Sequence, residues 1–507
     1  MATMQSAQGL RRLIGKLRWI HVAPLLAVLT LTAWAFASPI GAAPDDDYHL
    51  VSTWCALGGS EACTVGTTAK TREVSTAFES AKCFVQKATQ SAACQEKAGL
   101  SLDGPKYETD RGNFQHEYPA VYYAAMRLFA GNDLVRSALV MRLVNLALFV
   151  GLATALAVLL PASRRQTLMW GWLVSLVPLG VFLIPSNNPS GWAITGVGTA
   201  FLALLGWFES SGRRRWALGA LYVVGVVMAA GSRGDAAIYA AGATVVASLL
   251  TWSRQRDWLL RSILPLGGLL VIALLFLTST QANVVHGFSS GSTVSGTDIV
   301  GQAATATGGI GLAAYNLLML PYLWTGVWGT WALGWFDTEL PPIVPWSAVA
   351  AFVVVAVAGL GLLTKRKAVA IAGVFAVLVV LPVYVLTAGG DQVGSQLQPR
   401  YLLPLIVLFS LVLVTAPSGL PTVRFTRVQT FTILAALAIA NTVSLRVNIL
   451  RYVTGANEGG FSSGAGAQWW WHGVPFGPMA VWLVGSAAFA GLLAVLWPEL
   501  RRKAIAP

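Results

Sequence analysis

Charge is scarce in this chain: Asp, Glu, Lys and Arg together make up 11% of the 507 residues. Soluble domains carry about a quarter charged residues, so a soluble fold is excluded. Hydrophobic residues at 55% and 20 tryptophans instead define a polytopic membrane protein. No Gly-rich loop closing on Lys-Ser or Lys-Thr is present to cradle a nucleotide phosphate, which argues against an ATP-driven pump. The net charge of +13 would suggest nucleic acid in a soluble protein; here membrane orientation accounts for most of it.

The fold expected is an all-α polytopic membrane protein with about twelve transmembrane helices. Arg11, Arg12, Lys16 and Arg18 precede an apolar run of about 20 residues, long enough to span. We read it as an uncleaved first helix with residues 1–18 in the cytoplasm. Further spans are predicted near 137–160, 167–184, 191–208, 216–231, 236–252, 258–279, 345–364, 368–388, 401–416, 428–447 and 476–498. The positive-inside rule then fits every short turn with both termini cytoplasmic, in the plasma membrane. Arg164-Arg165, Arg213-Arg214-Arg215, Lys365-Arg366-Lys367 and Arg501-Arg502-Lys503 all fall inside. Four parts result: the N-terminus, an N-terminal module at 19–279, a long outer segment at 280–344 and a C-terminal module at 345–507.

Cysteine is confined to the first outer loop, 40–136, as Cys55, Cys63, Cys83 and Cys94. That confinement reads as disulfides formed in an oxidising compartment, with three connectivities open. The second outer segment contains an apolar run from Ile310 to Phe336. A single crossing there would invert every later turn, so an interfacial or re-entrant helix is expected. Trp324, Trp328, Trp331 and Trp335 step by four, three and four, which predicts one indole face on that helix.

The organising stretch is Pro44-Asp45-Asp46-Asp47-Tyr48-His49 at the end of the first span. Adjacent carboxylates at a membrane surface are costly and raise one another's proton affinity. Either they form a solvated acidic cap or they supply a catalytic base. Further polar groups gather at the outer ends of the predicted spans: His116 with Tyr122, Arg142, Asn187 with Asn188, and Gln398 with Arg400. Arg233 and Asp235 are expected to pair with each other. Trp470, Trp471 and His472 follow a loop rich in Gly and Ser, where indole faces suit the C–H faces of a sugar, although an interfacial anchor is the plainer role.

These residues carry a family resemblance. Pro44-Asp45-Asp46 with His49, His116 with Pro119 and Tyr122-Tyr123, and Gln398-Pro399-Arg400-Tyr401 resemble the GT-C class of membrane glycosyltransferases, which use polyprenyl-phosphate-linked sugars. The chain is most similar to an actinobacterial polytopic family of that superfamily. It departs from the family in having Asp47-Tyr48 after the acid pair and Glu117-Tyr118-Pro119 after the histidine. The resemblance implies inverting transfer of a sugar to a cell-envelope glycan, glycolipid or protein acceptor.

The chemistry then assigns roles. Asp45, Asp46 and Asp47 are the candidate bases for the acceptor hydroxyl. His116, Arg400, Arg142 and His49 are candidates for the donor phosphate, on which negative charge builds. Tyr122, Asn187, Asn188, Gln398, Trp470, Trp471 and His472 are candidates for sugar or acceptor binding. The acid run also has the oxygen chemistry that Mg2+ or Mn2+ takes, although no metal is assigned. The expected partners are the donor, a glycan or lipid-linked acceptor and membrane lipid, with no nucleic acid. The other classes left open are a transporter or flippase of lipid-linked sugars, disfavoured by mid-span stretches almost free of carboxylates, and a non-catalytic scaffold.

Overall fold

The computed structural model describes residues 19–280, 309–361, 363–395, 397–416, 423–455, 469–471 and 474–501. Its first helix, α1 (Trp19–Phe36), is mostly apolar and stops where Ser38, Pro39 and Gly41 break the pattern. A short, almost wholly buried helix, α2 (Asp46–Cys55), follows the acidic turn. The chain then builds a small lobe around an antiparallel sheet in the order β1 (Cys63–Val65), β2 (Arg72–Ser75), β3 (Lys106–Thr109). This sheet is an addition to the all-helical expectation. Strands this short need support beyond their own ladder, and two disulfides supply it, Cys55–Cys63 and Cys83–Cys94. Each cysteine joins its sequence neighbour, so α2 is tied directly to β1.

The lobe returns through α3 (Val121–Arg127) to the long helix α4 (Leu134–Leu159). Beyond it lie α5 (Ala162–Leu176), α6 (Leu179–Leu183), α7 (Ser190–Glu209), α8 (Gly212–Ala230), α9 (Gly234–Thr251) and α10 (Arg256–Leu277). Pro178 separates α5 from α6, since a proline cannot donate the next helical hydrogen bond. The C-terminal part contributes α11 (Ile310–Thr325), α12 (Ile343–Leu360), α13 (Lys365–Gly389), α14 (Pro399–Val414), α15 (Arg427–Val453) and α16 (Pro478–Leu500).

Among the described residues, nine helices are long and apolar enough to cross a membrane. Eight coincide with predicted spans; the ninth is Ile310–Trp328. Helix α7 is buried throughout its apolar window, whereas only 17% of the α10 window is buried. That contrast is what a central and a peripheral helix of one bundle should show.

The expected single indole face is not formed. Helix α11 ends at Thr325, one turn of 3-10 helix runs to Trp328, and Gly329 and Gly334 take positive φ. Glycine at these positions lets the backbone turn back where any side chain would be strained. Each indole N–H instead finds its own carbonyl: Trp324 on Leu378 at 3.2 Å, Trp328 on Val174 at 2.7 Å, Trp331 on Tyr322 at 3.1 Å and Trp335 on Gly41 at 2.8 Å.

Candidate active site

The turn between α1 and α2 is held by side chains from most of the bundle. Arg142 on α4 donates to the carbonyls of Ala35, Ser38 and Pro39 at 2.7–2.9 Å. The Trp471 indole takes Phe36 at 2.7 Å, and Asn448 on α15 takes Ala37 at 2.9 Å. Gln95, beside the Cys83–Cys94 bridge, takes Ile40 at 2.7 Å, and Trp335 takes Gly41. Asn188 takes Pro44 at 2.7 Å, and Arg400 takes the same carbonyl at 3.1 Å. A helix end leaves its last carbonyls unsatisfied; here distant side chains satisfy them and fix the turn in place. The consequence falls on the next residue.

Asp45 sits at φ 57°, ψ 24°, in the left-handed region, immediately ahead of α2. Such strain in a non-glycine residue persists only where the surroundings over-determine it, and it concentrates at functional sites. The Asp45 carboxylate pairs with Arg400 and, at 2.9 Å, with Arg111, and its side chain is 27% exposed. Burial raises its proton affinity, but Arg400 first and Arg111 next outweigh this and hold the carboxyl well below the usual range.

The three acids have separate fates. Asp46 is fully buried, accepts from the Ala43 amide at 3.2 Å and lies 3.9 Å from Arg142. Burial pushes its carboxyl up to about 7, against the pull of Arg142. Asp47 is committed to Arg111 at 2.5 Å and to Lys82 at 3.3 Å. Asp45 alone keeps an accessible carboxylate. Because Asp45 and Asp47 are already paired with cations, the run does not fit a resident divalent ion. Among the described residues no group of three or more His, Cys, Asp or Glu side chains is placed to hold a metal.

An aromatic and cationic wall surrounds Asp45. His49 is 1% exposed, with Nδ1 2.9 Å from the Tyr123 hydroxyl, and burial drives its proton affinity well below normal, so it stands neutral. Tyr118 lies edge-on to His49 at 5.5 Å, and the Tyr48 hydroxyl is bonded to Glu117. Arg233 does pair with Asp235, at 2.8 Å. It also stands 4.4 Å over the Tyr401 ring, and Arg400 lies 4.9 Å from the same ring. Two buried guanidinium groups thus flank one tyrosine next to one partly exposed carboxylate.

The other candidates divide by placement. Asn188 and Trp471 hold the turn, as does Arg142 apart from its unpartnered Nε. Asn187 is buried, and among the described residues both of its side-chain polar atoms are unpartnered. Tyr122 is enclosed between Tyr123 and Trp192. The His116 imidazole is exposed, on another left-handed residue (φ 57°). Gln398 and Arg400 line a narrow cleft with Pro44, Trp331 and Gly334, only about 20 Å³ in this state. Trp470 packs on Tyr452 and Trp469. His472 and most of the Gly/Ser-rich loop lie outside the described residues.

Sequence reasoning missed Arg111, Gln95, Asn448 and Trp335's particular task. Arg111 is one charge among many in a polar loop, without a distinguishing signal. Asn441, Ser444, Asn448 and Arg451 recur every three or four residues on α15, and that polar stripe within a span was available to find.

Fold and site together define a multi-pass membrane protein carrying a buried acid–arginine centre beneath a disulfide-braced lobe. Residues 28–409 match the family described as "Predicted membrane protein (DUF2142)", and the chain belongs to that family. No curated protein matches the chain. No solved structure matches it either.

Proposed function

We propose that the chain is a GT-C-type glycosyltransferase, working at the outer face of the plasma membrane on a polyprenyl-phosphate sugar. The observation that carries this reading is Asp45: a strained, partly accessible carboxylate paired with Arg400 and Arg111, with Arg233 on the Tyr401 ring that Arg400 also meets. The outward orientation rests on the basic turns at the opposite end of the bundle and on the oxidised lobe.

In this reaction the acceptor hydroxyl oxygen attacks the anomeric carbon as the bond from that carbon to the phosphate oxygen breaks. Asp45 takes the hydroxyl proton. The lipid phosphate leaves with the bonding electrons, and Arg400 and Arg233 meet its charge. In the resting structure Arg400 keeps Asp45 ionised and weakly basic. An arriving phosphate competes for Arg400, and Asp45 then loses the partner that most lowers its proton affinity. The donor therefore loosens the hold on its own base, although Arg111 stays paired with it. Asp46, sealed from solvent, supports the turn instead.

The experiment is label transfer by the purified chain in lipid nanodiscs, with radiolabelled polyprenyl-phosphate sugars and envelope glycan acceptors. Product formation that needs both substrates supports the reading. Passage of the donor across a sealed bilayer without transfer would make the chain a transporter instead.

A further inference from the structure

The lobe has a cleft of its own. It measures about 370 Å³ and lies between the β1 edge, the segment before β3 and the connection from α3 to α4, lined among others by Trp54, Glu61, Asp103, Lys106, Arg127 and Asn132. This is within the size range of small-molecule sites, but its wall is unlike a lipid or drug pocket, which is mostly apolar. Its framework is fixed from both sides. The Trp54 indole donates to the Gly131 carbonyl at 3.1 Å, and Arg127 donates to Ala130 at 2.9 Å and Gly59 at 3.1 Å. The Cys55–Cys63 bridge holds the end of α2 against β1 directly beside it.

The polar groups facing the cleft are less committed. Among the described residues the carboxylates of Glu61 and Asp103 have no hydrogen-bond or ion-pair partner, and Lys106 makes one contact, 3.5 Å to the Thr64 hydroxyl. Two acids would repel an anion such as phosphate. Two bases would repel a metal cation. The balanced lining favours a ligand without net charge and rich in hydroxyls, able to accept from Lys106 and Arg127 and donate to Glu61 and Asp103.

We infer that this cleft is a saccharide-binding subsite that holds the acceptor glycan at a distance from the reacting hydroxyl. The inference rests on the glycosyltransferase reading for the word acceptor, but the binding itself does not. Trp54 and Asp46 lie on one helix, about 12 Å apart at 1.5 Å per residue. An acceptor reaching both the cleft and the acidic turn must therefore be a chain of several sugar units, and a single sugar cannot engage both.

The test uses the full-length protein in nanodiscs and size-fractionated oligosaccharides released from the envelope glycans of the source organism. Saturation-transfer NMR reads binding directly, without turnover. Asp103→Ala with Lys106→Ala, both exposed positions, should weaken binding of the longer fractions at least tenfold at unchanged melting temperature. Wild-type binding by the double variant, or no binding of any fraction to the wild type, overturns the subsite. Cleft-dependent binding without label transfer would remove the enzyme reading and keep the subsite. Transfer lost in Asp45→Asn with cleft variants indistinguishable from wild type would do the reverse.

Discussion

Arg400 grips the acidic turn twice, pairing with the Asp45 carboxylate and donating to the Pro44 carbonyl at 3.1 Å. It enters from α14, where Gln398 stands just ahead of the helix without a side-chain cap and Pro399 opens its first turn. One side chain thereby sets both the backbone ahead of Asp45 and the charge beside its carboxylate.

Replacing Arg400 should separate those tasks. Arg400→Lys keeps a cation but cannot hold carboxylate and carbonyl in the same planar fork. We expect donor binding weakened about tenfold or more, with the melting temperature lowered, and Arg400→Ala losing transfer altogether. Titration of donor into each variant, followed by differential scanning fluorimetry, checks this. Unchanged donor affinity in Arg400→Ala would remove the arginine from phosphate binding.

Asp46 predicts a pH dependence of stability. Its carboxyl rises from 3.8 to about 7 in the folded protein, so the fold favours the protonated form. The contribution is fully present below about pH 3.8 and lost as pH rises through 7. Asp46→Asn imitates the protonated state, and its stability relative to wild type should grow across that window. Parallel pH profiles for the two proteins would contradict the assignment.

Much of the architecture was legible because span length and hydropathy need no tertiary knowledge, and the cysteines stood together in one loop. The indole stripe misled because spacing alone assumes a continuous helix. Gly329 and Gly334 turn the backbone away, and carbonyls claim each N–H. Among the site residues, Asp45 and Arg400 stood out by being polar at predicted helix ends. Arg142, Asn188 and Trp471 stood out for the same reason, yet what they bind is backbone. No pattern reveals which carbonyl a buried donor will find 100 or 400 residues away.

The path of α11 predicts a re-entrant segment. Asn316 binds the connection between α13 and α14 through Asp391 and Val393, Trp324 reaches the middle of α13, and Trp335 is back at Gly41. Thr338 is buried, so the exposed neighbour Glu339 is the better probe. A cysteine there should react with an impermeant maleimide from outside intact cells. Reaction only after the inner face is opened would mean that Ile310–Trp328 crosses.

The aromatic run should split in two. Trp471 donates to Phe36 and stacks edge-on against its ring, so Trp471→Leu should lower protein level and activity together. Among the described residues the Trp470 N–H has no partner, and Trp470→Leu should leave the level unchanged while weakening acceptor use several-fold. Quantitative blotting beside the transfer assay distinguishes them. Equal losses of level in both variants would make each a packing residue only.

The most direct measurement compares Asp45→Asn with Asp46→Asn in the transfer assay, each with donor binding measured alongside. A general base contributes about 10²- to 10⁴-fold. Asp45→Asn should therefore lose transfer by at least a hundredfold while still binding donor, and Asp46→Asn should retain most of its rate at neutral pH. Transfer by Asp45→Asn within a fewfold of wild type would contradict the account.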